Sequence, residues 1–275
     1  MQRHDFLRRL HHVTAARNYL EIGVRDGTSL ALSRVPSIGI DPAFRITRPI
    51  RADVHLVRET SDAFFARRDP LGHLRSARNP LKNVRRGRPL FGRYLGRPTL
   101  DLAFIDGMHL FEYALRDFMN VEKYAGWASA IAFDDMLPRN ADEAARDRHT
   151  GAWAGDVYKV IPVLHKYRPD LTVIQVDTKP TGTVVVLGAD PTNTVLGEHY
   201  DEIAAEWVVN DPQDVPDWIL DRRQAIRPKD LLAAPFWPRL VRARNLRLPR
   251  SRGYDALRAG VAALPPARPL ASPAT

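Results

Sequence analysis

The segment from Asn18 to Phe44, NYLEIGVRDGTSLALSRVPSIGIDPAF, constrains the fold more than any other stretch. Tyr19, Leu20, Ile22 and Val24 form a short apolar run, the pattern of a buried strand. Glu21 interrupts it, and a charge inside a buried strand needs a partner. Gly23 and Gly27 follow, then Thr28 and Ser29. Glycine permits a tight turn and lets backbone approach a ligand closely. The spacing predicts a helix from Thr28 to Ser33, ended by Pro36, and a second buried strand over Ser37–Ile40 that stops at Asp41. Strand, glycine turn, helix, strand and acid in that order is the layout of a nucleotide-binding strand–helix–strand unit.

An acid about twenty residues past the first strand is the ribose-binding position of a Rossmann unit. The dinucleotide fingerprint is G-x-G-x-x-G. Here the pattern is E-x-G-x-x-x-G, carried by Glu21, Gly23 and Gly27. That pattern resembles the first motif of class I S-adenosylmethionine (SAM)-dependent methyltransferases. The resemblance implies a Rossmann-like three-layer α/β/α sandwich with a mostly parallel seven-stranded sheet and an antiparallel closing strand. It also implies that Glu21, Gly23 and Gly27 hold the methionine end of the cofactor, with Thr28 a further cofactor candidate, and that Asp41 holds the ribose. The alternative is an ordinary strand and turn of some other α/β protein.

Further strands are expected at Val54–Val57, Leu100–Ile105, Ser129–Phe133, Leu171–Val176 and Thr183–Leu187, the last two around a Lys179-Pro180-Thr181-Gly182 turn. Gln2 to Ala16 has helical spacing of Phe6, Leu7, Leu10 and Val13. Leu110 to Lys123 reads as an amphipathic helix with Gly126 as its stop, and Asp156 to Tyr167 as another helix. Ser61 or Asp62 would cap a helix after the third strand. In the resembled family that loop runs beside the adenine, so both are also cofactor candidates.

Ligands of parallel sheets bind beyond the carboxyl ends of the strands. Asp41, Asp106, Asp134 and Asp135 all fall there. Three ionised carboxylates at neighbouring strand ends repel and call for a cation, and oxygen ligands suit Mg²⁺, Mn²⁺ or Ca²⁺ rather than Zn²⁺. The passage DLAFIDGMHLFEYALRDF…AIAFDD resembles a narrower group, the metal-dependent O-methyltransferases acting on sugars of macrolide and aminocoumarin antibiotics. That resemblance implies Mg²⁺ (or Mn²⁺) held by Asp106, Asp134 and Asp135, with Asp106 also facing the cofactor and Asp106 or His109 accepting the hydroxyl proton. The reading preferred for His109 is a residue that caps the next helix or orients Asp106, ahead of the base. Met108 departs from the group, many members of which carry a polar or acidic residue there.

The implied function is metal-assisted O-methylation of a hydroxyl on a sugar, glycoside or polyol. The alternatives are a metal-free small-molecule methyltransferase, a related metal-dependent sugar-modifying or hydroxylating enzyme on the same scaffold, and a basic nucleic-acid-binding module on a vestigial cofactor fold. The 275 residues divide into an N-terminal helix (1–17), a methyltransferase domain (18–190) with a basic insertion (66–98), and a helical extension ending in an Arg/Pro-rich tail (191–275). The formal charge of +9 fits an anionic partner, or only the codon bias of a GC-rich genome. Ten cationic residues between Arg67 and Arg97 suit a solvated loop or a flap over an anionic small-molecule or glycan acceptor. Nucleic acid is disfavoured, because only Phe91 and Tyr94 interleave the charges. Val241 to Leu248 could touch an anionic membrane surface, against the simpler reading of a floppy tail. The chain has no cysteine, and no apolar run reaches the ~18 residues of a membrane span. Without a signal-like N-terminus the expected compartment is the cytoplasm. Oligomeric state has no signature in the sequence.

Overall fold

The computed structural model describes residues 1–75 and 98–267. Most of the basic insertion therefore lies outside the described residues, as do the last eight residues. Helix α1 (Arg3–Val13) precedes β1 (Tyr19–Ile22), β2 (Ser37–Ile40) and β3 (Val54–Val57). Then come α2 (Ser61–Phe65), β4 (Leu100–Ile105), α3 (Phe111–Glu122), β5 (Ala125–Phe133), α4 (Val160–Tyr167), β6 (Thr172–Val176) and β7 (Thr183–Leu187). Helices α5 (Tyr200–Trp207), α6 (Phe236–Leu246) and α7 (Tyr254–Ala262) follow, with shorter turns between them.

The strands form one seven-stranded sheet in the order β3-β2-β1-β4-β5-β7-β6. Only β7 runs against its neighbours β5 and β6, so the sheet is doubly wound with one antiparallel strand near its edge. The order reverses between β1 and β4, where a crevice opens beyond the strand ends. Register puts Ile22 beside both Ile40 and Ile105, and Ile105 beside Phe133. The residues that follow, Asp41, Gly23, Asp106 and Asp134, therefore stand in one row along the sheet's upper rim.

Alternation along the buried strands builds two cores. Leu20, Ile22, Ala103, Ile105, Ile131 and Phe133 pack under α2, α3, α4 and α5. Tyr19, Leu102, Phe104, Ala130 and Ala132 pack under α1, α6 and α7. The expected helix from Thr28 to Ser33 is instead a single 3-10 turn, Leu30–Leu32. Nine residues separate Gly27 from β2, and they are spent on the glycine turn and the approach to Pro36. With no full helix in that crossover, this face of the sheet is covered by α1 and the C-terminal helices.

That covering corrects the expectation of a floppy tail. Phe236, Trp237 and Leu240 of α6 and Tyr254 and Leu257 of α7 are buried against the sheet. Arg244, within the segment considered for membrane contact, is buried and donates to the carbonyls of Thr14 and Ala15 at 2.7 and 2.8 Å. Gly126 is not a helix stop but the second residue of β5, which begins four residues earlier than expected. The cap of α2 is Thr60, whose hydroxyl accepts from the Ala63 amide at 3.3 Å, rather than Ser61 or Asp62. Among the described residues no helix is long and apolar enough to cross a membrane.

Candidate active site

Parallel-sheet hydrogen bonds fix the rim. The Asp41 amide donates to Val57, Asp106 to Ile22 and Asp134 to Ile105, each at 2.9–3.0 Å. A cavity of about 1070 Å³ opens above them, roomy even against the ~300–1,000 Å³ of common small-molecule sites. Its walls include Gly23, Thr28, Ser29, Asp41, Ser61, Asp62, Asp106 and His109.

One half of the cavity is a cradle. Gly23 has φ +88°, and a Cβ there would overlap the carbonyl of Asp106 across the crevice. Gly27 does not line the cavity; it shapes the turn behind it at φ +79°, where a Cβ would meet an Ile46 methyl at 3.0 Å. Asp41 is held by two backbone amides, Arg25 and Ala43, each at 2.6 Å from one carboxylate oxygen. Each oxygen keeps a second lone pair for a ligand. Thr28 is turned onto Asp26, with its hydroxyl 2.8 Å from the carboxylate. Glu21 does not line the cavity. It is fully buried and accepts from the Tyr19 hydroxyl at 2.6 Å and from Ser29 at 2.7 Å. Burial pushes its carboxyl up to about 8 despite those two hydrogen bonds. Ser29, which does line the cavity, is thus held from behind by Glu21.

At the far side of the cradle Ser61 donates to Asp117 of α3. Burial pushes the Asp117 carboxyl up to about 7, against the Ser61 hydrogen bond. Asp62 accepts from Arg116 at 3.1 Å and Asn120 at 3.3 Å. Asp117 and Ser29 were not anticipated. Asp117 lies in a helix whose charged positions look solvent-facing in the sequence, and Ser29 differs from its neighbour Thr28 only in direction.

The other half holds the acids. Single ligand atoms of Asp106, His109 and Asp135 lie within 4.8 Å of one another. His109 Nε2 is 3.5 Å from Asp106, and Nδ1 is 3.4 Å from Asp135. Nδ1 donates to the Trp153 carbonyl at 3.0 Å, which leaves the Nε2 lone pair of the neutral ring facing Asp106. Burial lowers the affinity of His109 for a proton, but the hydrogen bond to Asp106 and the charges of Asp135 and Asp106 outweigh it, so its pKa is raised. Asp135 adopts a left-handed backbone, φ 59°, and accepts from Thr181. Non-glycine residues held in that region gather at functional sites.

Asp134 takes a different direction from its neighbour. Its Oδ2 sits 2.7 Å from Nη1 of Arg3, which is also 3.7 Å from Asp135. Its Oδ1 is buried without a hydrogen-bond partner. Burial and the nearby carboxylates push the Asp134 and Asp135 carboxyls up, with Arg3 opposing. The geometry thus joins His109, rather than Asp134, to Asp106 and Asp135. The carboxylates of Asp106 and Asp135, with the unpaired oxygen of Asp134 beside them, form an oxygen donor set that fits a hard divalent ion. Arg3 has no signal in the sequence, being 131 residues from its partner.

No protein-family model matches the chain, and no curated protein matches its sequence. Among solved structures it is similar to the O-methyltransferase TomG from Streptomyces achromogenes, involved in tomaymycin synthesis and solved in complex with SAM. That match has 19% identity over 68% of this chain and 79% of that chain, with a TM-score of 0.44. It is also similar to an O-methyltransferase from Bacillus cereus in complex with S-adenosylhomocysteine (SAH), with 15% identity over 67% and 80% of the two chains and a TM-score of 0.41. These are likenesses of fold between distant sequences.

Proposed function

We propose that this chain is a SAM-dependent O-methyltransferase acting on a hydroxyl of a sugar, glycoside or polyol, with a divalent ion assisting. The observation that carries the reading is the meeting of Asp106, His109 and Asp135 on the same rim as the Gly23–Asp41 cradle. The methyl donor brings a methyl group already activated on a sulfonium. A divalent ion, when bound, lowers the pKa of an attached hydroxyl.

The chain's own residues supply the rest. Gly23 admits the donor close to the backbone, and Asp41 takes ribose hydroxyls through its free lone pairs. Ser61, Asp62 and Asp117 border the base. His109 Nε2 removes the acceptor proton, a contribution of about 10²–10⁴ for general bases. Alignment of nucleophile and methyl by fixed walls adds up to about ten kcal/mol in well-ordered cases. Arg148, exposed and 5.9 Å above the Trp153 ring, supports an anionic acceptor.

The Arg3–Asp134 ion pair favours a second reading, a metal-free small-molecule methyltransferase with Arg3, among the described residues, as the counter-cation and His109 as the base. Calorimetry with SAM and SAH, with and without Mg²⁺, separates the two. Binding of both nucleotides and a separate heat for Mg²⁺ support the first. Nucleotide binding with no ion uptake supports the second. Absence of nucleotide binding removes both.

A further inference from the structure

The first residues of the chain are stitched to the turn that shapes the acid site. The Arg3 amide donates to Lys179 at 3.1 Å, and the Lys179 amide donates back to Met1 at 2.9 Å. Phe6, Leu7 and Leu10 of α1 are buried in the sheet core, which fixes the helix behind them. Gln2, Arg3 and His4 form part of the cavity wall. From this footing the Arg3 guanidinium reaches Asp134 at 2.7 Å and Asp135 Oδ2 at 3.7 Å.

Asp135 Oδ2 is a contested atom. Its partner oxygen accepts from Thr181, and Oδ2 itself faces both His109 and Arg3. An ion held between Asp106 and Asp135, with His109 Nε2 kept as the base, would draw on the oxygen that Arg3 approaches. It would also bring two positive charges close together in a half-buried site, where repulsion is poorly screened. The unpaired Oδ1 of Asp134 marks the pocket as short of positive charge even with Arg3 in place.

We infer that Arg3 is a tethered counter-cation that a divalent ion must displace. Ion loading moves Arg3 off Asp134 and Asp135 and loosens Gln2–His4, so the ion reshapes the wall that the acceptor meets. This rests on the metal-assisted reading above.

The test is Mn²⁺ binding to the full chain by calorimetry, in wild type, Arg3→Met and Arg3→Lys. Hydrogen exchange over residues 2–8 is followed alongside, with and without Mn²⁺. Arg3→Met should bind Mn²⁺ on the order of tenfold more tightly, at the lower end of usual couplings between two ligands. Arg3→Lys, which keeps the charge, should stay near wild type. Exchange over residues 2–8 of the wild type should quicken on Mn²⁺ addition, a readout independent of whether a variant folds. Equal Mn²⁺ affinity in wild type and Arg3→Met, or unchanged exchange in the wild type, overturns the competition and leaves the metal reading standing. Absence of Mn²⁺ binding in all three proteins overturns both.

Discussion

The His109 ring lies flat against Trp153, with centroids 5.0 Å apart and planes 9° from parallel, while its Nδ1 donates to the Trp153 carbonyl. One residue therefore fixes both the plane and the tautomer of the other. Gly155 completes the mount. Its φ is +64°, and a Cβ there would overlap the His109 carbonyl.

His109→Gln should lower kcat by about 10²–10⁴ while SAH affinity stays unchanged. Trp153→Ala should cost less, about tenfold, and should also move the pH–rate profile. With His109 raised above 6.5, the base is protonated at low pH, so the wild-type rate should climb through a pKa above that value. An ascending limb that survives His109→Gln would assign the base elsewhere.

The two glycines of the turn after β1 should respond unequally to alanine. Gly23→Ala forces a methyl into the Asp106 backbone, which cannot move without parting β1 from β4. It should abolish SAH binding and lower the melting temperature. Gly27→Ala meets one Ile46 methyl and a left-handed φ, a strain of about 1–2 kcal/mol. Calorimetry and thermal melts on both variants check the order.

Glu21 makes a prediction about stability. Its folded carboxyl is raised from 4.5 to about 8 by burial, so the folded state holds the extra proton between those values. The contribution is fully present below about 4.5 and is lost as pH rises through about 8. Stability should therefore decline with pH in that window, by at most about 1.4 kcal/mol per pH unit from this group. Glu21→Gln should flatten the decline in urea titrations at pH 5, 6.5 and 8.

Ion removal should separate the acids. If the proposed site operates, chelator should lower turnover, and Asp135→Asn should weaken Mn²⁺ more than Asp134→Asn, whose carboxylate points at Arg3. The weakening at Asp135 should be about tenfold or more, the scale of losing one hydrogen-bonded charge. Equal losses at both positions would place Asp134 among the ligands.

The rim was legible because each of its acids follows an apolar run, and a parallel sheet aligns such run-ends without further information. Asp41, Asp106 and Asp134 needed only strand order. What sits behind or across that rim was not legible. Glu21 reads as a cofactor contact but is turned inward by Tyr19 and Ser29, a choice made by side-chain packing. Arg3 and Thr181 reach the acids from distant chain segments, and local spacing carries no record of such meetings. The helix expected from Thr28 failed for want of length before Pro36, and the C-terminal helices were hidden by an arginine-rich sequence in which Arg244 is buried while Arg239, Arg242 and Arg258 face solvent.

The face under α1, α6 and α7 sets a schedule for synthesis. A nascent chain ending at Leu187 already contains all seven strands, yet Tyr19, Leu102, Ala130 and Ile174 still await Trp237, Leu240 and Tyr254. That face of the sheet therefore keeps apolar surface uncovered until the segment carrying Trp237, Leu240 and Tyr254 has emerged from the ribosome.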